Sequence, residues 1–328
     1  MNPSHTLVLS AVDVHACLDP AAIPATVEAT LRSLADHAVE AAPRSFLDVG
    51  DGAFMAMPGL LRRRGIAGVK WVSTLNGNPG RGLPKVRAAI LLSDPETGRL
   101  RAIVDAREIT SLRTGALAAV AAKHCARAEA AVAAIIGFGA VGKGALRALC
   151  ELFSLREIRV FGRRRDAVAR DAAEARAARS VPVVPAASIR DAVCDADIVV
   201  TAAGLASDAP FVEDAWIRPG TVVCCLGSYQ EIDATIVTRA DKLVVDDWDA
   251  ATHRGQFAPL VKTGRLRRED VYAELPEIVS GAKRGRSSGR EIVVASLLGR
   301  GVFDLAIASD VVERALRQGV GLTVTIEA

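Results

Sequence analysis

The middle of the chain alternates between short apolar runs and longer stretches with helical periodicity. The runs predict buried strands at residues 132–136, 158–161, 181–184, 198–202, 222–226 and 243–245. Helices are predicted between them, for example at residues 143–153 and, in an Ala-rich segment, at 166–178. Because parallel strands need crossover connections that are usually helical, this alternation predicts an α/β fold with a parallel, doubly wound Rossmann sheet.

The zone before it, up to about residue 114, mixes helix and strand. A helix is predicted after Asp19-Pro20, where apolar residues recur at helical spacing. Strands are predicted at residues 70–75, 86–92 and 100–104, and the last two flank the turn segment SDPETG, which indicates a hairpin. Trp71 is expected to point into a core, on the opposite side of its strand from Lys70.

The last zone begins near Arg290. It predicts a helix at residues 303–317 and then a strand, because apolar and polar residues alternate from Leu322 onwards, as in a half-buried strand. A final strand needs a sheet to join, and we expect it to return to the first zone. The predicted domains are therefore a discontinuous α+β domain (1–117 and 301–328) and a Rossmann domain (118–300).

Composition narrows the class of protein. Of 328 residues, 50% are hydrophobic and 24% charged, which excludes overall disorder, and the net charge of +3 gives no argument for nucleic acid. The most apolar stretch, 130–142, is too short to span a membrane, and the first residues lack the basic region of a signal peptide. Six cysteines show no metal-type spacing. We expect a soluble cytoplasmic protein with no metal and with neither membrane nor nucleic-acid partners.

The turn after the first strand of the middle zone has a complete GxGxxG pattern. It consists of Gly137, Phe138, Gly139, Ala140, Val141 and Gly142. The three glycines permit a tight turn, close approach of a pyrophosphate and close packing of helix on strand. The helix that follows offers free N–H groups to phosphates. A dinucleotide site is therefore predicted here.

The residues after the second strand of this zone indicate which dinucleotide binds. An NAD site usually has a carboxylate at this point, whereas this chain has Gly162 followed by Arg163, Arg164 and Arg165. Guanidinium groups suit the 2′-phosphate of NADP through charge and paired hydrogen bonds. We therefore predict that NADP(H) is preferred over NAD(H).

Three basic residues of the first zone are candidates for binding a substrate. Arg44 follows a proline, Lys70 begins a predicted strand, and Arg113 precedes an Ala-rich helix. Arginine matches a carboxylate with two parallel hydrogen bonds, and lysine carries a transferable proton. Taken singly, a surface Arg or Lys is far more often solvated than catalytic.

Short sequence pieces follow one another in a specific order along nearly the whole chain. They are Pro43-Arg44, Met57-Pro58, Lys70, Asn78-Pro79, the turn at 94–98, Leu112-Arg113-Thr114, the glycine turn, ADIVVTA at 196–202, Gly220, Leu226-Gly227-Ser228, Glu231-Ile232-Asp233, SLLG at 296–299 and Asp304-Leu305-Ala306. In this order they resemble the ornithine cyclodeaminase/mu-crystallin family.

The resemblance implies a Rossmann domain with a discontinuous dimerisation and substrate domain, hence a homodimer. It implies that Arg44 and Arg113 hold a substrate carboxylate and that Lys70 is the catalytic residue facing the reacting nitrogen or carbonyl. Arg113 is also expected near the cofactor, together with Thr114, Thr201 and Ser228. Asp304 is a possible partner that orients Lys70 or a water.

Two departures from the family pattern affect the expected activity. Where the cyclodeaminases have an acid before the Met-Pro step, this chain has Met55, and the segment 227–230 that follows a later strand lacks the second acid. Cyclodeamination needs such groups for proton transfer. The sequence therefore favours an NADP(H)-dependent imine reductase or amino-acid dehydrogenase acting on a small substrate with a carboxylate. The alternatives are an ornithine or lysine cyclodeaminase and a non-catalytic NADPH-binding protein of mu-crystallin type.

Overall fold

The computed structural model describes residues 5–178, 181–204 and 209–326. The chain divides into two compact units. The N/C unit is formed by the described residues up to Arg113 together with those from Arg300 onwards, and the Rossmann unit comprises Thr114–Gly299. These boundaries are at 113/114 and 299/300, beside the predicted 117/118 and 300/301.

The N/C unit is built on one mixed sheet. Its strands are β1 (His5–Leu9), β2 (Val39–Ala41), β3 (Ser45–Asp48), β4 (Gly52–Leu61), β5 (Ile66–Leu75), β6 (Val86–Ser93), β7 (Leu100–Asp105) and, from the end of the chain, β16 (Leu322–Thr325). Its helices are α1 (Ala11–Cys17), α2 (Ile23–Ala35), the start of α3 (Arg107–Cys125) and α11 (Gly301–Gln318). The strand order is β16-β1-β7-β6-β5-β4-β2, and β3 pairs with β4.

Several elements predicted from the pattern are confirmed in this unit. The helix after Pro20 is α2, and its apolar positions are buried. The hairpin is formed by β6 and β7, which pair antiparallel across a turn in which Asp94 N–H donates to the Arg99 carbonyl at 2.9 Å. The final strand β16 pairs antiparallel with β1. One strand from the N-terminal part and one from the C-terminal part of the chain therefore pair in this unit's sheet.

Helix α11 packs on one face of the sheet, which we call the inner face. It approaches β4 and β5 closely because glycines replace side chains there. A Cβ on Gly59 would lie 2.4 Å from a methyl group of Val302, and one on Gly68 would lie 3.1 Å from a methyl group of Leu305. Lys70 is two residues beyond Gly68 on β5 and therefore shares the inner face. This packing brings the first turn of α11 over Lys70.

Two predictions about side-chain burial in this sheet are wrong. Trp71 is 42% exposed and stacks on Phe54 with ring centroids 5.4 Å apart, because Lys70 occupies the inner face and the pleat turns Trp71 outward. Strand β16 is mostly exposed rather than half-buried, with Leu322 64% exposed, because it lies at the sheet edge.

The outer face carries an apolar row that crosses five strands in register. Its members are Leu322, Val8, Ile103, Leu91 and Val69, each the pairing partner of the next. Leu91 is 38% exposed, and Val8, Ile103 and Val69 are half-buried. We call this set the outer apolar row.

The described residues of the Rossmann unit form eight strands, and their pairings are all parallel. They are β8 (Val132–Ile136), β9 (Glu157–Phe161), β10 (Val183–Pro185), β11 (Ile198–Thr201), β12 (Val222–Cys225), β13 (Lys242–Val245), β14 (Ala273–Glu274) and β15 (Val293–Ser296). The helices are α4 (Ala140–Leu152), α5 (Arg165–Ala177), α6 (Ile189–Val193), α7 (Ala234–Arg239), α8 (Trp248–His253), α9 (Ala258–Lys262) and α10 (Leu275–Val279), after the second half of α3.

The strand order β10-β9-β8-β11-β12-β15-β13-β14 confirms the doubly wound sheet. The chain proceeds from β8 to one side of the sheet and then returns to the other side with β11. Ligands of such folds bind beyond the carboxyl ends of the strands at this reversal. The central strands β8, β11, β12 and β15 are buried along their whole length, as continuous apolar runs predict.

Three element boundaries differ from the prediction in an informative way. Strand β5 begins at Ile66 instead of residue 70, so Lys70 lies within the strand and not at its start. Helix α4 begins at Ala140 instead of residue 143, because the helix starts directly after the second glycine of the turn. The strand predicted at 181–184 is Val183–Pro185. The glycine turn thus contributes to the first turn of a helix, where backbone N–H groups have no intrahelical partner.

Candidate functional site

The glycine turn of the Rossmann unit has the backbone that its pattern requires. Gly137 has a φ of +100°, a value that favours glycine. A Cβ on Gly142 would lie 2.2 Å from the Gly137 carbonyl oxygen, so the third glycine allows helix α4 to pack on the turn. By contrast, a Cβ on Gly139 would meet nothing within 4 Å. The second glycine therefore borders open space, where a ligand can approach the backbone.

A cavity of about 620 Å³ lies beside this turn. Gly137, Phe138 and Gly139 form part of its wall, and Ala202 and Ala203 follow from the end of β11. Of the other residues of the motif, Ala140 is exposed, Val141 is half-buried and Gly142 is buried. A cavity at the strand reversal, open to a glycine turn and a helix N-terminus, fits a dinucleotide.

The three arginines after β9 have different surroundings. Arg163 and Arg164 are exposed and line the cavity. Arg165 instead donates to the carbonyls of Ala186 and Ala187, at 3.2 and 2.7 Å, and its guanidinium lies 4.7 Å from the ring centre of Phe161. The first two arginines are thus placed to contact a ligand, and the third holds the local fold.

The remaining predicted cofactor residues in this unit differ in their exposure. Thr114 is half-buried and begins the unit within α3. Thr201, at the end of β11, is fully buried. Ser228 is half-buried; its hydroxyl accepts a hydrogen bond from Arg254, and its carbonyl accepts one from Gly255 N–H at 2.9 Å. Thr201 therefore supports the wall of the cavity from behind rather than presenting its side chain at the surface.

The N/C unit holds a buried cluster of charged side chains on its inner face. Lys70 Nζ donates to Asp304 Oδ2 at 2.8 Å, and the two side chains are 1% and 0% exposed. Arg113 Nε lies 3.0 Å from the same carboxylate oxygen. Thr110 donates from its hydroxyl to Asp304 Oδ1 at 3.2 Å. We call these four residues the basic cluster.

Arg113 keeps donor capacity within this cluster. Its side chain is 5% exposed, and its Nη1 makes no hydrogen bond to any residue in the described ranges 5–178, 181–204 and 209–326. An unsatisfied buried donor costs free energy of about 1–3 kcal/mol, more for a charged group. Arg113 therefore keeps a buried donor in the cluster with no acceptor among the described residues.

Burial and charge set the protonation of the cluster. Burial lowers the pKa of Lys70 to about 7, aided by the positive charges of Arg113 and Arg44 and opposed by Asp304. Burial alone would raise the pKa of Asp304, but Arg113 and Lys70 hold it below its ordinary range. Asp304 is thus ionised at neutral pH, while Lys70 can gain or lose a proton there.

Arg44 belongs to the same neighbourhood. It is half-buried in the short connection between β2 and β3, and its charge reaches Lys70. The structure therefore brings Lys70, Arg113 and Asp304 together although they are far apart in sequence, and the charge of Arg44 acts on Lys70. Thr110 was missed by the sequence analysis, although its position three residues before Arg113 on a helix indicates a shared face.

Met55, which stands where the family pattern has an acid, has apolar surroundings. Met55 is buried and forms a small cluster with Met57 and Val72 on the inner face. Met57 is the cross-strand partner of Lys70. Among the described residues, moreover, no group of three His, Cys, Asp or Glu side chains is arranged to hold a metal ion, and no helix is long and apolar enough to cross a membrane.

Comparison with known proteins decides the family. Residues 4–319 match the model of the ornithine cyclodeaminase/mu-crystallin family. The chain belongs to this family. It is 35% identical to an alanine dehydrogenase of Archaeoglobus fulgidus over 96% of this chain and 97% of that protein.

Solved structures give the same result for the fold. An archaeal alanine dehydrogenase dimer with bound NAD superposes with a TM-score of 0.92 at 33% identity, covering 98% of this chain and all of that one. The Δ1-pyrroline-2-carboxylate reductase of Thermococcus litoralis, in complex with NADH and L-proline, gives a TM-score of 0.92 at 31% identity over 97% of this chain and 100% of that one. The predicted family and fold class are confirmed, and these relatives are named as dehydrogenases and reductases, as the prediction of an oxidoreductase expects.

Proposed function

We propose that this chain is an NAD(P)H-dependent oxidoreductase acting at the carbon–nitrogen bond of a small imine or amino acid with a carboxylate, with NADP(H) preferred. The observation that carries the proposal is the basic cluster, in which buried Lys70 and Arg113 share the carboxylate of Asp304 while Arg113 Nη1 lacks a partner among the described residues.

The substrate carboxylate is assigned to Arg113 and Arg44. A guanidinium with an unused buried donor binds a carboxylate strongly, because the hydrogen bond is charge-assisted and the site excludes water. The relatives support this assignment: alanine and pyrroline-2-carboxylate, named in their activities, both carry a carboxylate beside the carbon bonded to nitrogen. Holding that group fixes the position of the reacting carbon.

Lys70 is assigned the role of exchanging a proton with the substrate nitrogen. Reduction of C=N adds a hydride to carbon and a proton to nitrogen, and the bound nicotinamide supplies the hydride. The ammonium of Lys70 donates the proton and takes up another from solvent afterwards; in the oxidative direction the neutral amine accepts it. A pKa of about 7 suits both directions. Asp304, fixed by Thr110, keeps Nζ in place.

The cofactor is assigned to the cavity of the Rossmann unit. Gly139 borders the open space, and the N-terminus of α4 offers donors to the pyrophosphate. Exposed Arg163 and Arg164, at a strand end without a carboxylate, support NADP(H) over NAD(H). This preference departs from the two solved relatives above, which hold NAD or NADH. Direct cofactor contacts of Arg113, Thr114, Thr201 and Ser228 stay predictions.

A homodimer is part of the proposal. The outer apolar row and Trp71 leave contiguous apolar surface on the sheet face opposite α11. Exposed apolar patches of this kind mark interaction sites. The archaeal alanine dehydrogenase of similar structure is a dimer. A second copy of this chain is therefore the occupant that we propose for the outer face.

The test is a stoichiometric assay with NADPH and a panel of cyclic imino acids, or 2-oxo acids with ammonia or amines. Loss of reduced-nicotinamide absorbance, one equivalent for each amine formed, is the expected result. Ammonia released from ornithine or lysine with no net change in the cofactor would indicate the cyclodeaminase alternative. Tight NADPH binding without turnover of any member of the panel would indicate a binding protein.

A further inference from the structure

A buried carboxyl stands behind the cofactor cavity, outside the residues assigned so far. Glu231 lies between β12 and α7 and is 1% exposed. Its Oε1 accepts hydrogen bonds from two successive backbone N–H groups, those of Ala203 at 3.1 Å and Gly204 at 3.3 Å. These residues follow β11 at the strand reversal. Glu231 therefore holds the loop that leaves β11.

That loop is packed directly on the glycine turn. A Cβ placed on Gly137 would lie 2.5 Å from the carbonyl atoms of Ala202 and 2.6 Å from the nitrogen of Ala203. Both alanines also line the cavity. A shift of this loop would change the wall of the cavity and the contact with the first glycine together.

Glu231 is itself fixed on two sides. The side-chain oxygen of buried Gln256 accepts from the N–H groups of Glu231 and Ile232 at 2.8 and 3.0 Å, and its amide donates to the Ile232 carbonyl at 3.0 Å. The carboxyl lies against Gly227, where a Cβ would be 2.3 Å from Cδ of Glu231. Gln256 therefore holds the backbone at Glu231, and the carboxyl packs against Gly227.

The environment shows that holding a carboxyl here is costly. Burial raises the pKa of Glu231, although the Thr201 hydroxyl and the N–H groups of Gly204, Ala203 and Gly227 act in the opposite direction. A buried polar side chain is tolerated when its hydrogen bonds fix neighbouring backbone.

We propose that Glu231 is a positioning residue for the dinucleotide: it holds the loop 202–204 against Gly137, so that the cavity beside the glycine turn keeps the shape that the cofactor needs. The inference rests on the proposed function, because it concerns the same cavity. It adds a residue that touches neither cofactor nor substrate and acts through the backbone of Ala203 and Gly204.

The test compares Glu231→Ala, Glu231→Asp and Glu231→Gln by isothermal titration with NADPH and with NADH. Glutamine keeps an oxygen that accepts both N–H groups, so E231Q should bind within about threefold of the parent chain. Alanine removes the acceptor and aspartate withdraws it by one methylene, so each should weaken binding at least about tenfold, since unpaired buried donors are costly. At saturating cofactor, kcat should stay within about threefold of the parent value, because the substitution raises the KM for the cofactor and leaves the chemical step unchanged.

A matched control is Asp197→Ala. Asp197 is also buried and also accepts two successive backbone N–H groups, from Ala131 at 2.8 Å and Val132 at 3.0 Å, but it lies at the opposite, amino end of the strands. D197A should lower the melting temperature and leave the Kd for cofactor within about threefold. This control separates a general loss of stability from a local effect on the cavity.

The outcomes are distinguishable from failure of the proposed function. If the parent chain binds neither NADPH nor NADH, the proposed function fails. If it binds and E231A and E231D bind equally well, only the role of Glu231 is overturned. The role is also overturned if E231Q loses as much affinity as E231A, or if D197A loses as much. Should E231A not fold, E231D against E231Q gives the same decision.

Discussion

Lys70 Nζ lies 2.8 Å from Asp304 Oδ2, with both side chains buried in the N/C unit. The same oxygen is 3.0 Å from Arg113 Nε, so one carboxylate faces two cations. When Lys70 is protonated, the three side chains carry a net positive charge in a place from which water is excluded. An anionic substrate would neutralise this charge.

Removal of the Lys70 amine should abolish most of the chemistry and spare cofactor binding. Lys70→Met should lower kcat for imine reduction by about 10²–10⁴-fold, the usual contribution of a positioned general acid. Steady-state kinetics and NADPH titration check this. Lys262→Met, a change of an exposed lysine at the end of α9, is the control and should behave as the parent chain. Turnover of K70M at the parent rate would remove the assigned role.

The pH dependence should follow the Lys70 amine. Because burial lowers its pKa to about 7, the ammonium is lost as pH rises through that value. Imine reduction should therefore decline above about pH 7, and amino-acid oxidation should increase over the same range. In Asp304→Asn, the decline in the rate of imine reduction should occur at lower pH, because Asp304 raises the pKa of Lys70. Rates that are flat from pH 6 to 9 in both directions would contradict this assignment.

The cofactor preference should depend on two arginines. Arg163→Ser with Arg164→Ser should weaken NADPH binding by at least about tenfold, since charge-assisted hydrogen bonds to a charged group contribute about 1.5–3 kcal/mol. NADH binding should stay unchanged, because NADH has no 2′-phosphate. Arg170→Ser, an exposed residue on the same helix α5, is the control. Equal affinity of the parent chain for NADH and NADPH would refute the preference.

The outer apolar row should be needed for the dimer. Leu91→Glu places a charge at the fourth of the five positions of the row, so we expect a shift from dimer to monomer in light scattering coupled to size-exclusion chromatography. Val12→Glu changes an exposed valine on α1 and should leave the dimer intact. Elution of the parent chain as a monomer would contradict the proposed dimer.

The Rossmann unit could be predicted from the sequence in more detail than the charged cluster. Its strands are continuous apolar runs, and the glycine turn has a fixed relation to the strand before it and the helix after it, so local pattern is sufficient. The meeting of Lys70 with Asp304 depends on how closely α11 packs on β4 and β5 through Gly59 and Gly68, which spacing along the chain does not reveal. Trp71 was misplaced because hydrophobicity alone does not say which face of a strand is covered.

The proposed reaction is reduction of a carbon–nitrogen double bond in a substrate anchored by its carboxylate. The most direct measurement compares NADPH oxidation with Δ1-pyrroline-2-carboxylate and with 1-pyrroline, the same cyclic imine without the carboxylate. We predict kcat/KM at least about 100-fold higher for the carboxylate, because an Arg–carboxylate contact in a buried site contributes about 1.5–3 kcal/mol and also orients the reacting carbon. Equal kcat/KM for the two imines, or no oxidation of NADPH with either of them or with any other carboxylate-bearing imine, would contradict the account.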